Sequence, residues 1–416
     1  MAKKNKQDLN AQVTVIGAGI TGGTLACALA NNGIDVVIVD KVDPTTFVLP
    51  RFDGRASAIA QASRKVLEDV QLWEFLADNA EPILDIRVSD GNAPMFVHFD
   101  HKDVGDSPVG HMIENRDLRK CLKQLIEHLG IPVLAPTQIS KYDFGPEKAS
   151  LVLTDGRRIR SDLIVAADGQ DSLARKEAGI ATRGWAYKQR AIVASIEHEL
   201  PHRSIAHEHF LPSGPFAILP LKGGHHSSLV WTEIADLVDS FISLPSDQFL
   251  EEIEERVGDF LGKLRLVGPR FSHSLRLQLA ERYIHRRLAL VGDAAHSIHP
   301  IAGQGLNLGL RDVAALTETL VDTNELGLDL ANPAGLARYQ RWRRADNLLM
   351  AGATDVLNRV FSNDIPPVIL ARDLGLTAVN HLPALKRFFM RHAMGTVGQL
   401  PKMMRDKKAS VVTPDN

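Results

Sequence analysis

The hydrophobic pattern near the amino terminus changes from that of a strand to that of a helix and back again. Residues 13–16 form a short β-type run, residues 25–30 are rich in alanine and leucine, and residues 36–39 form a second apolar run. Two short apolar runs on either side of a helical stretch are typical of a buried parallel sheet. The pattern therefore predicts a βαβ unit at the start of an α/β fold.

The period of the pattern changes to two further along the chain. Alternating positions begin at residues 83–99. More β-like segments, separated by turns rich in proline and glycine, follow at residues 191–196, 207–210, 216–219 and 227–231. Helical spacing is found instead at residues 62–76, 113–131, 247–257 and 335–410. These segments predict an antiparallel sheet inserted into the α/β domain, followed by C-terminal helices.

These changes of pattern divide the chain into a discontinuous α/β domain, an insertion and two terminal regions. We assign the α/β domain to residues 11–85, 110–182 and 283–345, and the inserted sheet to residues 86–109 and 183–282. Residues 1–10 are expected to be a disordered tail and residues 346–416 a helical region. Ligands tend to bind between two such domains, at the carboxyl ends of the parallel strands.

Three glycines follow the first β-type run at the spacing of a dinucleotide-binding turn. Gly17 makes the tight turn, Gly19 admits a pyrophosphate, and Gly22 lets helix and strand pack closely. The second apolar run ends at Asp40, roughly 20 positions after the glycines, where a carboxylate can bind ribose hydroxyls. This acidic residue favours an adenosine with a free 2′-hydroxyl, as in FAD or NAD, over NADP.

A second glycine-punctuated segment, LVGDAAHSIHPIAGQGLNLGLRD, occupies residues 290–312. Asp293 follows a predicted strand and can accept hydrogen bonds from hydroxyls on a sugar or ribityl chain. Gly303 and Gly305 open the next helix, whose N-terminus offers backbone N–H groups and a partial positive charge. Between the two glycine motifs, Asp168 ends a further buried β run. We therefore predict that one large cofactor is contacted at two distant points of the chain.

Three motifs in this order resemble those of the single-component flavoprotein aromatic hydroxylases, the family that includes para-hydroxybenzoate hydroxylase. They are GxGxxG at residues 17–22, AADG at 166–169 and GDAAHSIHPIAGQGLNLGLRD at 292–312. The resemblance extends from about residue 12 to residue 350. Residues 53–59, DGRASAI, and the sequence HPIAGQGLNLGLRD are similar to the ubiquinone-biosynthesis hydroxylases of bacteria and mitochondria.

The resemblance implies that FAD is the cofactor. Its adenine half is expected on the first glycine motif, its ribityl chain at Asp293, and its isoalloxazine beside the start of the last helix. Arg55 is expected against the flavin or the nicotinamide, and Asn115 occupies the position where many relatives carry a pyrophosphate-binding arginine. The cofactor-binding residues predicted in this way are Gly17, Gly19, Gly22, Asp40, Arg55, Asn115, Asp168, Asp293, Gly303, Gln304 and Gly305.

The resemblance also implies a reaction. NADH or NADPH passes a hydride to the flavin, dioxygen adds to give a C4a-hydroperoxide, and one oxygen atom is transferred to an electron-rich phenol ring. The chain has no second GxGxxG for a nicotinamide, so the reductant docks transiently or electrons arrive from a partner protein. The peptide of His299 and Pro300 is expected to touch flavin and substrate through its backbone, which makes both residues candidate catalytic positions.

His296 and His299 also invite an acid–base or a metal-binding interpretation. Together with Asp293 they could form a ligand set, but their spacing lies in a loop and no further ligand cluster supports it, so we predict no metal site. A structural, hydrogen-bonding role is favoured over an acid–base role, and a catalytic His299 is kept as the alternative.

The predicted substrate is a polyprenylphenol intermediate of ubiquinone biosynthesis, with other enzymes of that pathway as candidate partners. One alternative is a hydroxylase of the same family that acts on a soluble phenolic acid. Another is a flavin-binding scaffold that organises a biosynthetic complex without turnover. A plain NAD dehydrogenase is a further alternative, and it predicts a colourless purified protein.

Composition narrows the class of partner. The 416 residues exceed one ordinary domain, and a formal net charge of −2 gives no electrostatic argument for nucleic acid. Two cysteines with no metal-ligand spacing fit a reducing cytoplasm. No signal peptide is expected from the polar start MAKKNKQDLN, and no apolar run reaches the ~18 residues of a membrane span.

A basic segment near the carboxyl end leaves two interpretations open. Residues 385–408 carry seven Lys or Arg against one Asp, interleaved with phenylalanines and methionines. Such a segment can lie on an anionic membrane surface, which would suit a prenylated substrate. It can equally be a helix that packs on the cofactor domain and ends in a solvated basic tail. We expect a cytoplasmic protein, with peripheral contact with the inner membrane under the first interpretation.

Overall fold

The structure is a computed structural model, which describes residues 8–46, 54–91, 96–363, 365, 372, 375 and 377–405. Residues 1–7 of the predicted tail, Asp53 of the DGRASAI segment and residues 406–408 of the basic segment lie outside these described residues. The predicted fold class is confirmed, because a mainly parallel sheet with helices carries a second, mainly antiparallel sheet and is followed by C-terminal helices.

Strands and helices are numbered in chain order. The strands are β1 (Leu9–Ile16), β2 (Val36–Val39), β3 (Ala56–Ala60), β4 (Glu81–Ile83), β5 (Asp85–Asp90), β6 (Phe96–Asp100), β7 (Gly110–Glu114), β8 (Val133–Leu134), β9 (Ile139–Phe144), β10 (Ala149–Leu153), β11 (Arg158–Ala166), β12 (Thr182–His198), β13 (Ile205–Leu211), β14 (Gly214–Leu221), β15 (His226–Ile234), β16 (Leu264–Ala280), β17 (Ile284–His285), β18 (Leu288–Leu290) and β19 (His296–Ser297). The helices are α1 (Ile20–Asn31), α2 (Gln61–Asp69), α3 (Trp73–Leu76), α4 (Asn115–His128), α5 (Leu173–Glu177), α6 (Ala235–Ser243), α7 (Ser246–Val257), α8 (Gln304–Glu325), α9 (Pro333–Phe361) and α10 (Pro383–Ala393).

The first sheet has the strand order β17-β18-β11-β1-β2-β8, and β10 and β9 continue from β11. Its strands β8, β2, β1, β11 and β18 are mutually parallel, so their carboxyl ends lie along one edge. The main hydrophobic core forms where this sheet meets α1, α4 and α8. The parallel arrangement places the segments that follow β1, β2, β11 and β18 at the same edge, and these segments begin the predicted cofactor motifs.

The second sheet has the order β19-β16-β12-β15-β14-β13-β5-β6. All of its pairs are antiparallel except β5 and β13, which run parallel because the chain passes through the first domain between them. Helices α6 and α7 cover one face and bury Trp231, Phe216 and Phe249 against it. The opposite face, which we call the inner face, packs on the small sheet of β3, β7 and β4, where Ala206 contacts the cluster around Ala58.

Three local expectations differ from the structure. The predicted tail ends earlier, because Leu9 already pairs with Ile159 as part of β1. The helix predicted over residues 62–76 is split into α2 and α3, since Gln71 adopts a left-handed φ of 64° that ends α2. The helical stretch predicted over residues 335–410 contains α9, α10 and a short 3₁₀ turn at Lys402–Met404. Among the described residues, none of the helices combines the length and the apolar content that a membrane span requires.

Candidate active site

The first glycine motif forms a turn that tolerates no side chain at two positions and leaves open space at the third. A Cβ on Gly17, whose φ is 107°, would lie 2.4 Å from the carbonyl oxygen of Ala167, and one on Gly22 would lie 2.1 Å from that of Gly17. A Cβ on Gly19 would meet no atom within 4 Å. Gly19 is also the N-cap of α1, so the free N–H groups of this helix face the open space.

Two carboxylates flank this turn at the carboxyl edge of the first sheet. Asp40 accepts hydrogen bonds from the backbone N–H groups of Ala18, at 2.6 Å, and Val42, at 2.8 Å, which fix its orientation. Asp168 accepts one from Leu173 at 2.9 Å through Oδ2, while its Oδ1 is buried and has no hydrogen-bond partner among the described residues. A buried acceptor without a donor is costly, so Asp168 Oδ1 fits a site that a ligand completes.

The second contact region lies where α8 begins. Gly303 is the N-cap of α8 with a left-handed φ of 62°, and a Cβ on Gly305 would meet no atom within 4 Å. Asn307 joins this helix start to β3, because its Nδ2 donates to the Ala58 carbonyl at 2.8 Å and its Oδ1 accepts from the Ala60 N–H at 2.9 Å. Asn307 was not predicted from the sequence, although a polar residue one turn into a helix that opens with glycine is a usable signal.

Arg55 and Asn115 lie together, and the charge of Arg55 acts on Asp293. The N–H of Asn115 donates to the Arg55 carbonyl at 2.9 Å, and the Asn115 side chain accepts from the Ser57 hydroxyl at 2.6 Å. Asp293 is exposed to solvent, yet desolvation by the protein around it raises the pKa of its carboxyl, while the charges of His296, Arg55 and Arg276 oppose the rise. This part of the sheet edge therefore carries a carboxylate and a guanidinium whose charges interact, a pair suited to hydroxyl and anionic groups.

The two candidate catalytic positions have unequal surroundings. The His299 ring is fully buried, lies edge-on to Tyr187 at 5.0 Å between centroids, and has no hydrogen-bond partner at either nitrogen among the described residues. Burial lowers the pKa of His299 to about 4, so the ring is neutral at pH 7. The Pro300 carbonyl accepts from the Gly303 N–H at 2.9 Å and closes the turn that leads into α8.

The inner face of the second sheet carries a row of partly exposed residues beside the cofactor edge. We call this row the inner-face trough, and it consists of Val88, Glu208, Leu219, Val230 and Phe271. The trough borders the cofactor segments at two points. A Cβ on Gly54 would lie 2.4 Å from the Phe271 ring, and Leu219 packs in the same cluster as Ala58.

A buried ionic network centred on Asp312 fixes the position of the last glycine motif. Asp312, on α8, is fully buried and accepts from His296 Nε2 at 2.5 Å, from the Gly292 N–H at 2.9 Å and from Arg343 Nε at 2.7 Å. Burial alone would raise the pKa of Asp312, but His296 and Arg343 outweigh it and hold the pKa at about 2. His296 is thus engaged as a structural partner of Asp312. Asp312 was not predicted from the sequence either, and its signal is a charged residue inside an otherwise buried helix.

Replacing Asp312 should destabilise the whole domain. Asp312→Asn removes the buried carboxylate that His296 and Arg343 contact, while Arg343 keeps its pair with Asp346, and removing one partner of a buried pair costs about 3–5 kcal/mol. The matched control is Asp322→Asn on the same helix, which removes part-exposed contacts to Arg338 and Lys402 and costs under about 1 kcal/mol. Urea unfolding measures both values, and equal losses in the two variants would contradict the role of the network.

The residues at this edge fit FAD. Three features are open to a ligand: the space at Gly19, the Oδ1 of Asp168, which has no partner among the described residues, and the helix start at Gly305. A pyrophosphate, a ribose and a charged ring could complete them. Asp40 and Asp293 keep acceptor capacity for sugar and ribityl hydroxyls. We therefore infer that these residues hold the cofactor.

A pair of glycine variants separates cofactor binding from folding. Gly19→Ala should fold normally, because its Cβ meets no protein atom, yet bind FAD at least tenfold more weakly, about 1.4 kcal/mol, because the methyl group occupies the approach of the pyrophosphate. Gly22→Ala should instead lower the melting temperature of the cofactor-free protein through its clash with Gly17. The FAD content and the melting curve of each variant provide the measurement. Normal FAD affinity in Gly19→Ala would exclude this placement of the pyrophosphate.

Comparison with known proteins gives the same cofactor. Residues 10–347 match the family model described as an FAD binding domain. The ubiquinone hydroxylase UbiL of Rhodospirillum rubrum is 51% identical over 402 residues, which cover 96% of this chain and 93% of that protein. The 3-demethoxyubiquinol 3-hydroxylase of Escherichia coli K12 is 34% identical and covers 92% of this chain and 98% of its own. The solved structure of the p-nitrophenol 4-monooxygenase PnpA of Pseudomonas putida shares the fold, with a TM-score of 0.78 at 18% identity over 93% of this chain and 99% of that one.

These matches confirm the predicted family, cofactor and enzyme class. The protein is an oxidoreductase that uses FAD. The matched region contains all three sequence motifs together with the open glycines and carboxylates described above. The chain belongs to the ubiquinone-biosynthesis family of FAD-dependent aromatic hydroxylases.

Proposed function

We propose that this enzyme hydroxylates the aromatic ring of a polyprenylphenol intermediate of ubiquinone biosynthesis. The observation that carries the proposal is the inner-face trough, which offers a mainly apolar and partly open surface beside the cofactor edge. An uncharged ring with an apolar tail can pack against Val88, Leu219 and Val230. A soluble phenolic acid would instead place its carboxylate near Glu208, where the two like charges would repel each other.

Each part of the site then has a role. FAD, when bound, supplies the redox chemistry by accepting a hydride from NAD(P)H and activating dioxygen. Asp293 would bind the ribityl hydroxyls, and the backbone of Gly303, Gln304 and Gly305 would hold the ring. Arg55 would provide positive charge near Asp293. The neutral, buried His299 and the rigid turn at Pro300 exclude water on the substrate side, which favours oxygen transfer over loss of the activated oxygen.

Incubation of the purified protein with labelled oxygen tests the proposal. With FAD, NAD(P)H, ¹⁸O₂ and a phenol carrying one isoprenoid unit, we expect mass spectrometry to find one ¹⁸O atom on the ring. The FAD-poor variant Gly19→Ala should give no product and serves as the control. In cells that lack the protein, an under-hydroxylated polyprenylphenol should accumulate and ubiquinone should fall, and the accumulated lipid identifies the ring carbon.

Other results would favour the alternatives. Product formed from 4-hydroxybenzoate but not from the prenylated phenol would point to a hydroxylase of soluble phenolic acids. Bound FAD with no turnover on either compound, and unchanged cellular ubiquinone, would point to a scaffold.

We further propose that α10 brings the enzyme to the inner membrane, where a prenylated substrate is found. Phe388 and Phe389 are 53% and 43% exposed on α10, with Arg387 and Arg391 also exposed beside them, while Met390 is buried against Val109. Exposed aromatic rings with flanking cations suit an anionic bilayer surface. The other half of the basic segment packs instead on α8, where the Lys402 N–H donates to Glu318 at 2.7 Å.

Vesicle sedimentation tests this contact. The wild-type protein should bind phosphatidylglycerol vesicles more strongly than phosphatidylcholine vesicles. Replacing both Phe388 and Phe389 with serine should weaken binding roughly tenfold, because two half-exposed rings lose their apolar burial. The control is Phe75→Ser, which changes a ring that is 44% exposed on α3. Unchanged binding by the double variant would exclude α10 as the contact and leave partner proteins as the means of reaching the lipid.

A further inference from the structure

Glu208 is the ionisable member of the inner-face trough. It lies in the middle of β13, opposite Val88 on β5 and Ala217 on β14, so its side chain shares their face of the sheet. The residues two positions away on the same strand, Ala206 and Phe210, are buried, whereas Glu208 is partly exposed. Its carboxyl therefore emerges from an apolar surface into the open part of the trough.

The carboxyl of Glu208 lacks a protein donor. Among the described residues it has no hydrogen-bond or ion-pair partner, although a carboxylate in apolar surroundings is normally paired. Burial raises the pKa of Glu208 to about 7. In the same sheet, the Ser228 hydroxyl lies opposite Leu219, is 1% exposed and also has no partner in the described part of the chain. Two unsatisfied polar groups on one apolar face indicate a ligand that brings its own polar atoms.

We propose that Glu208 accepts the ring hydroxyl of the substrate and removes its proton as the ring is attacked. The inference rests on the proposed function, because it requires a phenol as substrate. The phenolic O–H bond breaks and a new O–H bond forms on the carboxylate, so the negative charge moves to the phenolic oxygen and no electrons are gained or lost. The proton leaves to solvent after product release.

This transfer would make the ring a better nucleophile. A phenolate donates electron density into the ring, which favours attack on an electrophilic oxygen. A base whose pKa is near the working pH contributes typically about 10²–10⁴-fold in rate. The same contact would distinguish a phenol from its methyl ether, which has no proton to donate.

Ligand binding to the FAD-loaded protein tests the inference without turnover. The probes are a phenol carrying one isoprenoid unit and its methyl ether, and ultraviolet difference spectra report the longer-wavelength absorption of the phenolate. We expect the wild-type protein to give this band with the phenol, Glu208→Gln to lose it and Glu208→Asp to regain part of it. Hydroxylation by Glu208→Gln should fall by about 10²-fold or more. The control, Glu197→Gln, changes a glutamate of the same sheet that pairs with Arg265 and should behave as wild type.

The outcomes distinguish a failure of the role proposed for Glu208 from a failure of the proposed substrate class. If the wild type binds and hydroxylates the phenol while Glu208→Gln keeps the band and the rate, Glu208 is not the base and the proposed function stands. If the wild type does not bind the phenol at all, the proposed substrate class is wrong and the inference falls with it. FAD content and melting temperature are measured for every variant, so that a loss caused by misfolding is recognised directly, and Glu208→Asp should keep both values while regaining part of the band.

Discussion

The buried carboxylate of Asp312 is the interaction on which the rest of the site depends. It joins three segments that are distant in the sequence, namely α8 itself, the loop with Gly292 and His296, and Arg343 on α9. A charge taken out of water is tolerated only when its partners are all in place, because the desolvation cost is several kcal/mol. The network therefore couples the positions of Asp293 and of the α8 N-terminus, the two elements expected to hold the flavin end of the cofactor.

Close packing connects the segments held by Asp312 to the first glycine motif. A Cβ on Gly292 would lie 3.1 Å from the Thr21 side chain, and a Cβ on Gly309 would lie 2.8 Å from it, so Thr21 of α1 packs directly against the backbone of the last motif. The parallel strands β1 and β18 end at the same sheet edge, on either side of β11. Both ends of the expected cofactor site are thus formed by elements that pack directly on one another. This suits a cofactor that stays bound while one substrate molecule is exchanged for the next.

The parts predicted from the sequence are those set by local chemistry. Gly17 and Gly22 were identifiable because the turn itself excludes a side chain, and the helix start at Gly303 because a left-handed N-cap favours glycine. Asn307 and Asp312 were missed because their partners are contributed by β3, by the loop before β19 and by α9. The break at Gln71 was missed because a left-handed glutamine has no distinct sequence signal. The placements of Arg55, Asn115 and His299 against the cofactor stay predictions.

The role of Glu208 depends on strand register, which the sequence does not reveal. In the sequence it lies between two histidines, and the same strand shifted by one residue would turn it toward α6 and α7 and turn His207 inward. In the observed register Glu208 lies partly exposed among the apolar residues of the trough, and burial raises the pKa of its carboxyl to about 7. An apolar substrate that fills the trough would desolvate the carboxylate further and make it a stronger base. Substrate binding would then activate the base only when the phenol that needs it is present.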